Sequence, residues 1–322
     1  MKIFLTLTLK SLVAAAMLVS AVGVQAQTYP SRDITFIVPY GTGGSTDPIS
    51  RKFSEELEKI LGSTINVQNK PGGSATIGTG TVVRSEPDGY TIGLGSNSSL
   101  LYQPLINKGL PYKTPDDYQS IVKLVDLPAI LVVRADAPWK NFDEFMADVK
   151  KNPGKIRASN SGNGTTDDLV LKQLNKVAGV RIAPVPFSGG GGEAMVALLG
   201  GRVEASVSRA INASSFVKAG KLRVLAVFKK GKYDAFPEAT PIGDTYDATL
   251  PALYCVIAPK GLPKNVMDTL VDASLKAVRS EGFLKFAKDN GYVPEAAGPD
   301  ALKAELVQQS KIFAELTAEG IK

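Results

Sequence analysis

The stretch DITFIVPYGTGGSTD, residues 33–47, decides the fold. A β-branched and aromatic run breaks into a glycine-rich turn and then into Asp47-Pro48, a pair that opens helices. A strand feeding a helix through a bare backbone loop leaves unpaired N–H groups at the helix start, and that is an anion site in outline. The same order recurs at KIRASNSGNGTTDDL, Lys155 to Leu169. Two such loops in separated stretches imply a ligand gripped from both sides.

Outward from the first loop, strand-like and helix-like runs alternate. Ile34–Tyr40 is a strand; Pro48–Leu61 is a helix with Asp47 as N-cap and Gly62 just past its end. Ile65–Asn69 and Thr91–Gly95 are strands, with a helix from about Ser74 between them. The pattern restarts with strands near Leu131–Arg134, Lys155–Ser159, Arg181–Val185, Val203–Val207 and Leu222–Phe228, separated by helices from about Asn141, Thr166, Gly192 and Ile211. After a last strand, Leu253–Ala258, apolar residues recur at helical spacing over Pro263–Arg279, Gly282–Asn290 and Pro299–Ala318. This alternation predicts an α/β protein of two doubly wound lobes joined by a hinge of two chain crossings. Residues 27–127 with 248–322, including the terminal helices, form the first lobe and 128–247 the second.

Before the first lobe, Lys2 and Lys10 flank SLVAAAMLVSAVG and a Val24-Gln25-Ala26 cleavage signal, together a secretory signal peptide over residues 1–26. The apolar part is shorter than the ~20 residues a membrane-spanning helix needs. Cleavage after Ala26 lowers the formal charge from +6 to +4, because the segment carries two lysines and no acid. A mild excess without a Lys/Arg block argues against nucleic acid as a partner. Cys255 is the single cysteine, so no disulfide can form within the chain. There is no histidine, which excludes Ser-His-Asp and Cys-His nucleophiles and every imidazole-based zinc motif. No metal site and no cofactor are expected.

Two glycine clusters, GTGGSTD (Gly41–Asp47) and SGGGGE (Ser188–Glu193), invite a nucleotide reading. The first lacks the third glycine of a dinucleotide loop, and the second has no Gly-Lys-Ser/Thr. Ser-x-x-Lys occurs at Ser120 and Ser215 without the Lys-Thr-Gly of a Ser-Lys acyltransferase. Binding without reaction remains. Glycines allow close backbone approach, and the hydroxyls of Ser45, Thr46, Ser161, Thr165 and Thr166 add donors without charge, a set that suits a carboxylate. Each hydroxyl could equally be an ordinary helix cap.

Seven pieces in order carry a family resemblance: YPSRDITFIVPYGTGGSTD, VQNKPGGSATIG (Val67–Gly78), PDGYTIGLGS (Pro87–Ser96), SNSGNGTTDDL (Ser159–Leu169), VPFSGGGGEAMVALLGGRVE (Val185–Glu204), AGKLRVLAV (Ala219–Val227) and APKGLP (Ala258–Pro263). From Tyr29 to Lys322 the chain resembles the Bug family, the periplasmic solute-binding proteins of tripartite tricarboxylate transporters. The resemblance implies a periplasmic-binding-protein architecture of type II-like form, with no catalysis. A monomeric two-lobed clamp would close on a small organic acid and deliver it to the transporter's membrane subunits. By position it assigns first-lobe ligand contacts to Tyr40, Gly43, Gly44, Ser45, Ser96, Asn97 and Ser98. It assigns second-lobe contacts to Asn163, Thr165, Thr166, Phe187, Ser188, Ser208 and Arg209, with Tyr254 as an aromatic lining the cleft.

The chain departs from the family pattern at Gln68 (usually Glu), Asp168 (His), Phe187-Ser188 (Tyr-Lys) and Ser208-Arg209 (Asp-Asn). Replacing a cleft acid by Arg209 offers a fork for a second carboxylate, which favours a dicarboxylate over an amino acid. Alternatively Arg209 faces solvent or pairs with Asp168 or Glu193. Tyr40, Phe187 and Tyr254 could sandwich a flat ring, so an aromatic diacid such as terephthalate and an aliphatic acid of the succinate-to-citrate range both fit. The alternatives to transport are a periplasmic sensor for an organic acid and, less consistent with the glycine loops, a nucleotide-binding enzyme.

Overall fold

A computed structural model describes residues 29–318; the expected signal peptide and its cleavage after Ala26 lie outside them. The chain runs β1 (Ile34–Val38), α1 (Thr46–Leu61), β2 (Ile65–Asn69), α2 (Thr76–Val83) and β3 (Thr91–Ser96). A π-helical turn (Ser98–Tyr102) leads through α3 (Gln103–Ile106) to β4 (Tyr118–Leu127). Then come β5 (Ile130–Arg134), α4 (Phe142–Lys151), β6 (Arg157–Asn160), α5 (Thr166–Val177), β7 (Ala183–Pro186), α6 (Gly191–Leu199), β8 (Ala205–Ser208), α7 (Ala210–Lys218), β9 (Leu222–Val227) and β10 (Thr240–Pro241). The chain closes with β11 (Ala252–Pro259), α8 (Lys264–Arg279), α9 (Glu281–Asp289), β12 (Val293–Pro294) and α10 (Pro299–Ala318).

Two six-stranded sheets result, ordered β12-β4-β11-β3-β1-β2 and β10-β9-β5-β8-β6-β7. The lobes exchange chain between β4 and β5 and again between β10 and β11. Each sheet is mixed. β1 lies parallel to β2 and β3, and β6 parallel to β7 and β8, whereas β11 and β5 run antiparallel to their neighbours. The parallel pairs place the loops after β1, β3, β6 and β8 at the carboxyl ends of their strands, where α/β sheets present ligand sites.

Local chemistry explains where elements begin. Helix α1 starts at Thr46 with Ser45 in the cap position, not at Asp47. Asp47 instead accepts from Arg51 Nε (2.9 Å) and from Asn69 Nδ2 (2.9 Å), pinning the first helical turn to the end of β2. At the other end Gly62, with φ of 65°, forms the left-handed cap expected of a glycine there. Strand β4 carries two charged residues, Lys123 and Asp126. Lys123 is buried because Asp126 (2.9 Å) and Glu305 of α10 (2.8 Å) neutralise it.

Ile49, Phe53 and Leu57 recur every four residues along α1 and are fully buried. They share one core cluster with Phe36 of β1 and Leu270 of α8. A second cluster runs through both lobes, joining Tyr102 and Phe313 to Leu169 and Ala226, so apolar packing continues from one sheet to the other. Phe53 sits 5.8 Å from Phe36, ring centre to ring centre. Its replacement, Phe53→Ala, is expected to cost about 3–5 kcal/mol through lost burial and a residual cavity, read as a lowered urea midpoint with an unchanged slope.

Candidate ligand-binding site

Between the sheets lies a cavity lined from both lobes. Four helices begin at its wall: the cap residues of α1, α5, α6 and α7 are Ser45, Thr165, Gly190 and Arg209, and all four line it. Thr165 caps α5 with its own side chain, accepting from Asp168 N; the other three starts have no side-chain cap. Each helix start presents uncompensated N–H groups equivalent to roughly half a positive charge. The cleft thus attracts anions by its backbone.

Hydroxyl groups cover the first-lobe wall. The Tyr40 hydroxyl lies 3.1 Å from Ser96 Oγ and 3.3 Å from Ser98 Oγ, and Ser45 Oγ lies 2.7 Å from the Tyr254 hydroxyl. Tyr254 stands opposite Ser96 in the β11–β3 register, which brings the aromatic to the mouth of the β3 loop. Burial pushes the Tyr40 and Tyr254 hydroxyls up from the ordinary phenol value, so both stay protonated donors at neutral pH.

The charged residues of the wall are Asp167 and Arg209, and they cancel. Arg209 does not present a free fork. Its Nη2 pairs with Asp167 Oδ1 and donates to Thr166 Oγ1 (2.7 Å), while Nη1 donates to the carbonyl of Leu127, the last residue of β4. Asp167 is held from its other oxygen by Ser161 Oγ at 2.6 Å. The partners considered from sequence are engaged elsewhere: Asp168 with Lys172 Nζ (2.7 Å), and Glu193 with the Gly189 amide (2.8 Å).

Of the residues picked from sequence, Tyr40, Gly44, Ser45, Ser96, Ser98, Thr165, Thr166, Arg209 and Tyr254 line this cavity together. Gly43 does not; with φ of 81° it forms the outer rim, and it is Gly43 rather than Gly44 that uses the left-handed region. A Cβ on Gly192 would lie 2.6 Å from the Gly43 carbonyl oxygen, and one on Gly41 would lie 3.3 Å from that of Gly189, so the lobes meet there backbone to backbone. Asn97 turns away, donating to the Pro251 carbonyl (3.0 Å) and Gln309 Oε1 (3.0 Å). Ser208 is fully buried, 3.3 Å from Asn212 Nδ2. Asn163 and Ser188 line a neighbouring chamber, and Phe187 packs on the second lobe's own core, so two of the three aromatics reach the cavity.

Gly41, Thr46, Ser161, Asp167, Gly190, Gly191 and Asn212 complete the lining. Thr46 and Ser161 were legible as loop hydroxyls. Gly190 and Gly191 stood in a cluster whose missing lysine spoke only against phosphate, and Asp167 looked like an ordinary first-turn acid. The volume open to the centres of water molecules is ≈ 30 Å³, room for about two or three waters.

The profile of the tripartite tricarboxylate transporter family receptor matches residues 49–313. The chain belongs to this family. A UPF0065 protein of Bordetella pertussis is 32% identical over 288 residues, covering 89% of this chain and 88% of the relative. The solved structure of the periplasmic binding protein BugD superposes with a TM-score of 0.82 at 30% identity, over 91% of this chain and 99% of that one. Two Rhodopseudomonas palustris proteins share the fold at 24% and 21% identity, with TM-scores of 0.82 and 0.85: MatC with bound malate, covering 89% of this chain and 99% of its own, and a second with adipate, covering 90% and 97%. The receptor is a Bug-type periplasmic solute-binding protein and not an enzyme.

Removing one member of a buried pair strands the other. Arg209→Ala in the receptor is therefore expected to cost about 3–5 kcal/mol of unfolding free energy, whereas Arg209→Met with Asp167→Leu should recover most of it. Urea titrations of the two variants check this; equal losses in both would mean the pair is not the source.

Proposed function

We propose that the receptor captures a small organic carboxylate in the inter-lobe cleft, in the periplasm after cleavage behind Ala26, and delivers it as a monomer to the membrane subunits of a tripartite tricarboxylate transporter. In this reading residues 27–127 with 248–322 and residues 128–247 are the two lobes, and they close about the crossings near residues 125 and 250. The observation that carries it is the meeting of four helix starts around a cavity whose one acid and one base cancel. A neutral side-chain set leaves the N–H dipoles as the recognition element, and carboxylate oxygens are their complement. Four starts sum to roughly two positive charges, which favours a dicarboxylate. The malate and adipate held by the two R. palustris proteins, both diacids on the same fold, support that choice. The second carboxylate owes nothing to a free Arg209, because that guanidinium is already engaged.

Two measurements test the reading. Calorimetric titration of the mature protein with succinate, malate and adipate should give saturable binding without turnover of the acid, and small-angle scattering should show compaction at saturation. Gly192→Val should block this closure, since its side chain would collide with the Gly43 carbonyl. Ligand affinity is then expected to fall at least tenfold while the melting temperature of the ligand-free protein stays within a few degrees. Full affinity and full compaction in Gly192→Val would remove closure at the glycine rim from the mechanism.

A further inference from the structure

Beside the central cavity lies a second, larger chamber of ≈ 340 Å³, against ≈ 30 Å³ for the first. Tyr40 and Ser161 line both spaces, so they form the partition between them. Pro39, Pro71 and Pro186 give the chamber rigid apolar walls. Its walls come from both lobes and are tied across the gap by Ser74 Oγ, which donates to the Asn163 carbonyl at 2.8 Å.

The partition sets a size limit. A central space for about two or three waters holds one carboxylate and little more. A longer ligand whose head sits among the helix starts must run past Tyr40, and the chamber is the adjoining space. Its far wall is polar in a specific way. Residues 72–75 all take positive φ, including Ser74 at 53° and Ala75 at 76°, conformations that L side chains adopt only under constraint. The amide N–H groups of Gly73, Ser74 and Ala75 bond to no other described residue. Successive free N–H groups in such a loop form an anion-binding concavity. The Asn163 side-chain amide, whose oxygen is taken by Lys172 Nζ at 3.3 Å, borders the same space.

We infer that this chamber is a second subsite that receives the far carboxylate of an extended diacid whose first carboxylate occupies the central cavity. The inference rests on the carboxylate reading of the cleft and adds to it a length and a second charge. The chain between the two carboxylates passes Tyr40 and lies against the prolines, where methylene or aromatic carbon is favoured over hydroxylated carbon. A short diacid seats one carboxylate among the helix starts, and its second carboxylate falls short of the chamber loop.

Titration calorimetry of the mature protein with adipate, hexanoate and succinate tests this. Adipate is expected to bind at least tenfold tighter than hexanoate, which has the same chain length and one carboxylate, and tighter than succinate, which cannot span the partition. Pro186 is exposed at the end of an edge strand and donates no hydrogen bond, so Pro186→Trp fills the chamber without touching a core. It should weaken adipate at least tenfold and leave succinate within twofold. Hexanoate equal to adipate in the wild type, or equal losses for adipate and succinate in Pro186→Trp, would overturn the subsite while leaving the carboxylate reading intact. Binding of none of the three acids would overturn both.

Discussion

Everything in the cleft depends on the carboxyl ends of parallel strands facing each other across a gap. A strand that hands its chain to a helix at that edge must point the helix start, with its unbonded N–H groups, into the gap. Built into two sheets, this geometry delivers four starts to one place without any unpaired cation. Backbone donors have fixed directions and cannot titrate, so their share of the attraction for an anion is set by the fold. With no histidine in the chain, nothing with an ordinary pKa near neutrality interferes.

The buried pair of Asp167 and Arg209 belongs to this scheme. An isolated guanidinium in the cleft would hold any anion it met, at the expense of shape discrimination. Paired with Asp167 and bonded to the last carbonyl of β4, Arg209 acts as a strut between the second lobe and the crossing strand. A parallel strut lies on the first-lobe side, where Lys123, Glu305, Gln309 and Asn97 form a hydrogen-bonded chain from β4 to the Pro251 carbonyl at the return crossing. Each crossing is thus held by a charged or amide group that apolar packing alone could not orient.

Most of the fold was legible because period and punctuation agreed: Ile65–Asn69 is a strand to the residue, and Pro299–Ala318 a helix to the residue. The burial of Lys123 in β4 was illegible because the acid that neutralises it lies 182 residues away. The site was half legible for the same reason. Glycine and hydroxyl loops announce themselves locally, so Tyr40, Ser45, Thr165 and Thr166 could be picked; the role of Arg209 depended on Asp167, which is distant in sequence and resembles any first-turn acid. Asn97 belongs to a good motif, yet its side chain serves the crossing. Sequence marks the loop, and only packing decides which way each side chain in it faces.

The backbone-to-backbone rim at Gly43 and Gly192 has a consequence for the empty receptor. Contact between bare peptide units removes almost no apolar area from water, so the rim adds little hydrophobic adhesion to the closed state. Driving a hinge from mostly open to mostly closed takes about 5.5 kcal/mol of preference for one state, and little of that can come from the glycines. The occupant must supply it. Under the proposed closure, the rim therefore turns no greasy surface to other chains when it parts, and parting it works against hydrogen bonds and dipoles, the apolar cluster shared by the two sheets lying elsewhere.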